Sequence, residues 1–314
     1  MSSLRFDKHS DGSPRAAARQ GSTFARVRFV STFSAWVMLA PAVIIFATFV
    51  LVPALVGIGL SFVEWNFFNT PTWVGVENYV TLFADAKAWE SLLVTLQYVV
   101  LGVIPTVLIG FMIAVLINSN MPGIPALRVL YFVPVVLSVA VSAVLWSFIY
   151  DARQGPIGAL FRIFGLTAPD FLNSETLALP ALVVMMIWLA LPIVVILYLA
   201  GLQRVPEDIY SAAALDGAGS WRMLWSMTWP NVMPTTFVVA VLQIINFVAN
   251  SLDVALIMTG GGPLGATRSL SLYSYERAFN FQDVGYAGAL SILQLVLVVG
   301  IVVVGRVLGS RWSR

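Results

Sequence analysis

The residues of this chain best suited to bind a ligand are four polar side chains within one apolar run. Gln243, Asn246, Asn250 and Asp253 are spaced three, four and three residues apart, and at about 100° per residue they fall within roughly 80° of one helix face. Exposing such a stripe to lipid is energetically costly, since an aspartate at mid-membrane costs about 2.5–3.5 kcal/mol on insertion scales. Asp253 lies nearer the outer end, so its cost is smaller. The stripe therefore indicates either hydrogen bonds between packed helices or a pathway lined by amides that donate to and accept from hydroxyl groups.

The sequence excludes several other kinds of site. The 314 residues include no Cys, and the only His is His9 in a polar tail, so thiolate metal sites, thiol nucleophiles and His-based catalytic or metal sites are ruled out. The phosphate-binding pattern G-x-x-x-x-G-K-[ST] does not occur. A G-x-G-x-x-G match at Gly260, Gly262 and Gly265 follows an apolar run rather than a strand, and predicts a tight reversal. We expect no catalytic residue, cofactor or metal in this chain.

The composition predicts a membrane protein. Hydrophobic residues make up 59% of the chain and charged residues 10%, against roughly 45–50% and about 25% in soluble domains. The apolar residues form runs of the roughly 20 residues that a membrane helix needs. The first run is longer than the 7–15 apolar residues of a signal peptide and is expected to remain uncleaved. We predict an all-α bundle of six transmembrane helices, at about 33–62, 91–117, 127–150, 178–200, 233–258 and 286–308.

The basic residues predict the orientation. With the N-terminus in the cytoplasm, the inner segments hold twelve Lys and Arg and the outer loops hold five, which fits the positive-inside rule. The pI near 9.0 therefore reflects helix orientation and does not indicate nucleic-acid binding. The predicted parts are a cytoplasmic tail, an outer loop after the first span, a core of five spans, and a second cytoplasmic tail, at 1–32, 63–90, 91–308 and 309–314.

A small folded element is predicted in the cytoplasmic loop 201–232. Pro206, followed by two acidic residues, suits the first turn of a helix, and Gly217 allows a tight reversal. An apolar, Trp-rich helix follows and ends at Pro230. Two interpretations are open: an amphipathic helix lying on lipid headgroups, or a knob that binds a cytoplasmic partner.

The stretch SAAALDGAGSWRMLWSMTWP (211–230) resembles the EAA loop of permease subunits of bacterial ATP-binding-cassette (ABC) importers. The resemblance implies that a coupling helix in this loop enters a cleft on an ATPase subunit. Ser211 stands where the family has Glu, so Asp216 is expected to carry more of the polar contact. The residues expected to contact the ATPase are Ser211, Ala212, Ala213, Asp216, Gly217 and Ala218.

Three other stretches are similar to the carbohydrate branch of the same family. They are WVGVENYVTLF (73–83), RVLYFVPVVLS (128–138) and MTGGGPLGATRSLSLYSYERAF (258–279). The third is typical of the subunit type represented by the larger maltose-type permease. In that type the fourth and fifth spans bind sugar, and the positions that match here are Phe247, Ser251, Leu189, Ala190 and Ile193.

The resemblance implies a type I importer fold in the bacterial inner membrane, with both termini cytoplasmic. The implied partners are two copies of an ATPase that supply ATP and Mg²⁺ chemistry, a second homologous permease, an extracytoplasmic binding protein and membrane lipid. A neutral sugar or polyol is the expected substrate.

Two other functions are conceivable for a polytopic membrane protein, an ion-coupled secondary transporter and an intramembrane enzyme. An ion-coupled secondary transporter would commonly show inverted repeats and ionisable residues near mid-membrane, and would leave the 201–232 element unexplained. An intramembrane enzyme would need a nucleophile with a base beside it, and the spans offer no such pair.

Overall fold

The computed structural model of the protein describes residues 34–118 and 132–312. The predicted tail 1–32 and the family-like residues 128–131 lie outside this part of the chain. The described elements, in chain order, are α1 Ser34–Leu60, β1 Val63–Glu64, β2 Thr72–Trp73, α2 Glu77–Ala84, α3 Ala86–Ile117, α4 Val139–Tyr150, α5 Pro156–Ile163, α6 Ala178–Leu202, α7 Glu207–Leu215, α8 Ser220–Met223, α9 Met233–Met258, α10 Leu270–Tyr275 and α11 Val284–Trp312.

Five of these helices are long and apolar enough to cross a membrane: α1, α3, α6, α9 and the part Val284–Val307 of α11. The shortest of these stretches has 24 residues, which at 1.5 Å per residue spans about 36 Å, more than the roughly 30 Å hydrocarbon core. The prediction of an all-α polytopic membrane protein is confirmed. The helix boundaries differ from the predicted ones by a few residues, and α11 continues through Trp312 into the predicted tail 309–314.

The predicted continuous span 127–150 is not seen as one helix in the described residues. A short 3₁₀ turn at Val133–Val136 is followed by a separate helix, α4, of 12 residues, or about 18 Å. The Ser138 side chain accepts a hydrogen bond from the backbone N–H of Val141 at 3.3 Å and begins the new helix. Pro134, in the first turn of the 3₁₀ segment, and Ser138 both signal the break, but the apolar residues around them favour one continuous span because membrane helices also tolerate proline.

The described chain divides into two units, one ending at Gly57 and the other beginning at Ile58. The first unit consists of most of α1. Its π-helical turn Ala47–Leu51 precedes Pro53, which has no N–H to donate to the preceding turn, and a wider turn accommodates this loss.

The second unit is built around α3, which packs along both α6 and α9. Small residues allow the close approach. A Cβ on Gly102 of α3 would lie 2.6 Å from Cζ of Phe247 on α9 and nearer still to two other ring carbons. The ring of Phe111 on α3 contacts that of Tyr198 on α6, with centroids 5.6 Å apart. These contacts form the largest cluster of buried apolar side chains.

One end of this unit carries the antiparallel pair β1–β2, and we call it the hairpin end. Asn78 Nδ2 donates to the carbonyl oxygens of Ser61 at 2.9 Å and Val63 at 3.1 Å, and Tyr79 OH bonds Ser61 Oγ at 2.7 Å. Trp73 stacks on Phe62. The family-like spacing of Trp73, Asn78 and Tyr79 therefore has a structural role, because these residues fasten the loop to the residues that follow α1.

The Gly-rich segment after α9 forms the tight reversal that the sequence predicts. Gly261 has φ +85°, a backbone conformation that side-chain-bearing residues rarely adopt. Thr267 Oγ1 donates to the carbonyl of Gly262 at 3.0 Å and lies 2.7 Å from Thr259 Oγ1. Tyr98 of α3 also donates to the carbonyl of Thr267, at 3.2 Å, so the reversal is fixed to the helix bundle.

Candidate functional site

The element predicted in loop 201–232 is a helix that ends in a Schellman turn. The backbone N–H of Ala218 donates to the carbonyl of Ala213 at 2.9 Å, and that of Gly217 donates to the carbonyl of Ala214 at 3.0 Å. Gly217 occupies the left-handed position of this motif, with φ +74°. The two acidic residues in the first turn of α7 complement the positive end of the helix dipole. The sequence thus encodes both the start and the end of the helix.

The turn presents a knob to the surroundings. Four of the six residues expected to contact an ATPase are exposed, namely Ser211, Ala212, Asp216 and Gly217. Ala213 is buried beneath them and Ala218 is half-buried. Ser211 Oγ donates to the carbonyl of Glu207, at 3.3 Å, within its own helix. The structure therefore brings the predicted residues together, with Ala213 beneath the exposed four, and their contact with an ATPase stays a prediction.

Two large apolar residues extend the knob and were not among the predicted contacts. Leu215 is 90% exposed and Trp221 is 71% exposed, although burying such side chains contributes roughly 1.5–3 kcal/mol each. The sequence predicts Trp221 only as part of the Trp-rich helix that ends at Pro230. The four-residue spacing of Trp221, Trp225 and Trp229 is the signal that could have revealed the arrangement, because such positions share one helix face.

A chain of aromatic contacts joins the knob to the bundle. The ring of Trp221 contacts that of Trp225 at a centroid distance of 5.8 Å, and Trp225 contacts Trp229 at 5.6 Å. Trp229 meets Phe111 of α3 edge to face at 4.8 Å, and Phe111 contacts Tyr198 of α6. Close-packed rings therefore connect the knob with two long helices, α3 and α6.

The polar stripe on α9 turns from the interior toward the surface. Gln243 is 1% exposed, and its Oε1 has no hydrogen-bond partner among the described residues. Asn246 and Asn250 are half-buried and hydrogen-bonded to each other, and Asp253 is exposed. Exposed apolar residues flank the three surface members, among them Ile245 and Leu256. The stripe therefore lies partly on a helix face that the described chain leaves uncovered.

The other predicted pathway residues lie at different depths. Phe247, Ser251 and Ala190 are buried, with exposures of 1%, 0% and 3%. Leu189 is half-buried and Ile193 is 49% exposed. The Phe247 ring packs over Gly102 inside the bundle, so a contact between this ring and sugar would need α3 and α9 to separate. The role of Phe247 in sugar binding stays a prediction.

Comparison with known proteins identifies the family. The family described as the binding-protein-dependent transport system inner membrane component matches residues 87–314. The chain belongs to this family. The permease is thus a membrane component of a transport system, as the motifs in loop 201–232 and at the hairpin end indicated.

Relatives and solved structures agree with this assignment. The permease is 29% identical over 270 residues to the trehalose/maltose transport system permease protein of Thermococcus litoralis, covering 86% of this chain and 91% of the relative. It is 33% identical to a probable ABC transporter permease protein of Bacillus subtilis, YesP, with 84% and 86% covered. A chain of a bacterial alginate ABC transporter, solved with a periplasmic protein bound to alginate pentasaccharide, is 21% identical with a TM-score of 0.79, covering 91% of the permease and 97% of that chain. The predicted importer-permease fold is confirmed.

A polar cluster holds the hairpin end of the permease together. Asp85 Oδ2 accepts hydrogen bonds from Tyr273 OH at 2.5 Å and Tyr286 OH at 2.6 Å, and its Oδ1 accepts from the N–H of Lys87 at the start of α3. Burial favours a higher pKa for Asp85, but these hydrogen bonds and the Arg277 guanidinium outweigh it and lower the pKa below its ordinary value. Asp85 thus links α3, α10 and α11 as a carboxylate.

Proposed function

We propose that this permease is a subunit of an ATP-driven importer in the bacterial inner membrane, and that it translocates a neutral sugar or polyol delivered by an extracytoplasmic binding protein. The hairpin end faces outward and the α7–α8 knob and both termini lie in the cytoplasm. Two copies of an ATPase and a second, homologous permease complete the assembly. The observation that carries the proposal is the knob itself, which is exposed, apolar at its tip, and joined to α3 and α6 by aromatic contacts.

The shape of the knob suits a protein cleft better than a lipid surface. An amphipathic helix on lipid would present one continuous apolar face along its length. Here the exposed apolar side chains Leu215 and Trp221 flank the exposed polar groups of Asp216 and the backbone of Gly217. A small apolar tip with polar groups beside it is typical of a binding surface for another protein.

In this arrangement the ATPase drives the change of access. ATP binding closes the two ATPase subunits and moves the knobs that they hold. The aromatic chain from Trp221 to Phe111 then moves the ends of α3 and α6 with the knob. ATP shifts the equilibrium only because it binds the closed pair of ATPases more tightly, and delivered sugar favours the outward-open bundle for the same kind of reason.

The sugar pathway lies along the uncovered face of α9, against the second permease. Asn246, Asn250 and Asp253 on this face cannot contact lipid cheaply, so a second chain and a polar pathway are the favoured neighbours. Their amide and carboxylate groups match sugar hydroxyls, which both donate and accept hydrogen bonds. Helices α6 and α9 contain no Lys or Arg, which favours a neutral substrate over an anionic one. The relative from Thermococcus litoralis is named as a trehalose/maltose permease, and the name supports a sugar.

The test is gentle affinity purification of the permease from its own membranes, with mass spectrometry of the partners and uptake assays in vesicles. We expect a phosphate-loop ATPase and a second permease to be recovered, and uptake to require ATP. The variant Gly217→Trp should abolish uptake while the chain remains in the membrane, because a bulky side chain at this exposed position would obstruct a partner while meeting no atom of the folded chain within 4 Å of its Cβ. Any side chain is strained at φ +74°, so Gly217→Ala, which carries the same strain without the bulk, is the control and should retain more uptake. A permease that purifies alone and transports in ATP-free vesicles along an ion gradient would instead be a secondary transporter.

A further inference from the structure

We propose that the hairpin end of the permease contains a sugar-binding subsite, from which a row of aromatic rings leads to the middle of α6. This inference rests on the proposed function, because it names where the delivered sugar first contacts this chain. The subsite is a cavity of about 200 Å³ where α4 ends and the segment before α6 approaches it. Its lining includes Tyr150, Asp151, Arg153, Asp170 and Asn173.

The polar groups around this cavity have unused hydrogen-bonding capacity. Asp151 Oδ1 accepts from the backbone N–H groups of Arg153 at 2.8 Å and Gln154 at 2.6 Å, and its side chain remains exposed. Asp170 Oδ2 accepts from Asn173 Nδ2 at 2.9 Å, so the amide oxygen of Asn173 is left available. The Arg153 guanidinium forms no ion pair within the described chain. The cavity thus offers acceptors for hydroxyl hydrogens and a donor for hydroxyl oxygens.

The size and charge of the cavity indicate the class of ligand. At roughly 30 Å³ per water in the liquid, 200 Å³ holds about seven waters, which is room for one sugar ring rather than an oligosaccharide. Two carboxylates and one guanidinium give the lining a net negative charge. A neutral sugar is therefore favoured, and a sugar that carries a carboxylate is repelled.

Aromatic rings continue from the cavity into the bundle. Tyr150 lines the cavity and contacts Phe171 and Trp146, each with centroids 5.3 Å apart, and Trp146 contacts Trp188 of α6 at 5.6 Å. The Tyr150 OH donates to the carbonyl of Ala181 at 2.9 Å, which fixes its ring. Aromatic faces are apolar and carry a negative quadrupole, so the C–H groups of a sugar ring pack on them.

The inner end of this row of rings lies next to the predicted sugar pathway. Trp188 directly precedes the predicted pathway residues Leu189 and Ala190. The indole Nε1 of Trp146 is buried without a hydrogen-bond partner among the described residues, although buried polar groups are usually paired. A sugar hydroxyl moving along the row would supply the missing acceptor. Ring contacts therefore connect the cavity with the predicted pathway.

The natural absence of cysteine provides the test, because a single introduced thiol is unique in this chain. The variants are Asn173→Cys at the cavity and, as a matched control, Glu175→Cys, which is exposed and two residues away. In the full assembly in vesicles, labelling by a membrane-impermeant maleimide is followed with and without trehalose, maltose, sorbitol or an alginate trisaccharide. Uptake of the same compounds by the wild type is measured in parallel and reports on the proposed function separately.

We expect a neutral compound that the wild type transports to slow the labelling of Asn173→Cys about fivefold. The same compound should not change the labelling of Glu175→Cys, and the acidic trisaccharide should not slow the labelling of either variant. Adding Asp170→Asn should raise the half-protecting concentration about tenfold, whereas adding Glu175→Gln should leave it unchanged. Normal uptake with labelling that no transported sugar slows would overturn the subsite while the importer stands. The subsite would also be overturned if sugar-free binding protein alone slowed the labelling of Asn173→Cys and sugar had no further effect. The cavity would then be a contact surface for the binding protein. If none of the four compounds is taken up or protects, both proposals are wrong for this class of ligand.

Discussion

The contact between Gly102 and Phe247 decides whether Phe247 holds the bundle together or binds sugar, and Gly102→Ala tests it. The added Cβ would lie 2.6 Å from Cζ of the ring and nearer to two other ring carbons. Carbon atoms pack at about 3.5–4.0 Å, so the ring would need to move by about 1 Å or more. Phe247 is only 1% exposed, which leaves it no free space for such a movement.

The loss of stability expected for Gly102→Ala follows from two opposing effects. Overpacking a core by one methyl group typically costs about 1–3 kcal/mol, and replacing glycine by alanine within a helix recovers up to about 1 kcal/mol. The expected net loss is about 1–2 kcal/mol. In a unit of this size that loss lowers the unfolding midpoint by roughly 2–8 °C, which a thermal-unfolding assay of the purified permease in lipid nanodiscs resolves.

A double variant supplies the control. Phe247→Leu alone should destabilise the bundle, because it leaves space over Gly102. In Gly102→Ala/Phe247→Leu the added methyl group fills part of that space, so the combined loss should be smaller than the sum of the single losses by at least about 1 kcal/mol. Strictly additive losses would refute the packing argument. If Phe247→Leu instead leaves stability unchanged and weakens sugar uptake, the ring is a sugar contact.

Three further predictions address the knob, the pathway and the polar cluster. Trp229→Ala breaks the aromatic chain and should reduce uptake at least about tenfold, while the ATPase still co-purifies with the permease. Loss of the ATPase from the purified complex would contradict the proposal that the aromatic chain transmits motion. Asn250→Leu should impair uptake or change sugar preference in an assembled complex, whereas an assembly defect alone would favour hydrogen bonding between helices. Asp85→Asn weakens the bonds from Tyr273 and Tyr286 and should cost about 1–3 kcal/mol. Because the pKa of Asp85 is lowered, the stability difference between the wild type and Asp85→Asn should be complete above the ordinary pKa of aspartate and be lost as the pH falls through the lowered pKa. Unfolding midpoints of both proteins, measured from pH 6 to pH 3, would show this loss. A difference that stays constant over this range would contradict this account.

The sequence predicted the helical elements where local signals were strong. Long apolar runs defined α6 and α9 almost to the residue, and the acidic first turn with Gly217 defined both ends of α7. The span at 127–150 was less predictable, because the break at Ser138 depends on one cap within an apolar stretch. Hydropathy reports how apolar a run is but not where its helix is interrupted.

Side-chain depth on a helix was harder to predict than the helix. The spacing of Gln243 and Asp253 placed them on one face, yet one is buried and the other exposed. Their neighbours cause this difference, since α3 and α6 both contact α9 and their residues are distant in sequence. The cavity beside Tyr150 was missed for the same reason, because its lining comes from two segments about 20 residues apart.

The knob and the uncovered face of α9 share one physical property. Each exposes side chains whose polarity does not match that of the surrounding solvent or lipid. In the proposed orientation Leu215 and Trp221 are apolar and face the cytoplasm, whereas Asn250 and Asp253 are polar and lie at membrane depth. Neither arrangement stabilises the isolated chain, since water disfavours the first and lipid the second. A contact with another protein removes both penalties at once. We therefore expect partners to cover both the knob and the uncovered face of α9, and the permease to be most stable within its assembly.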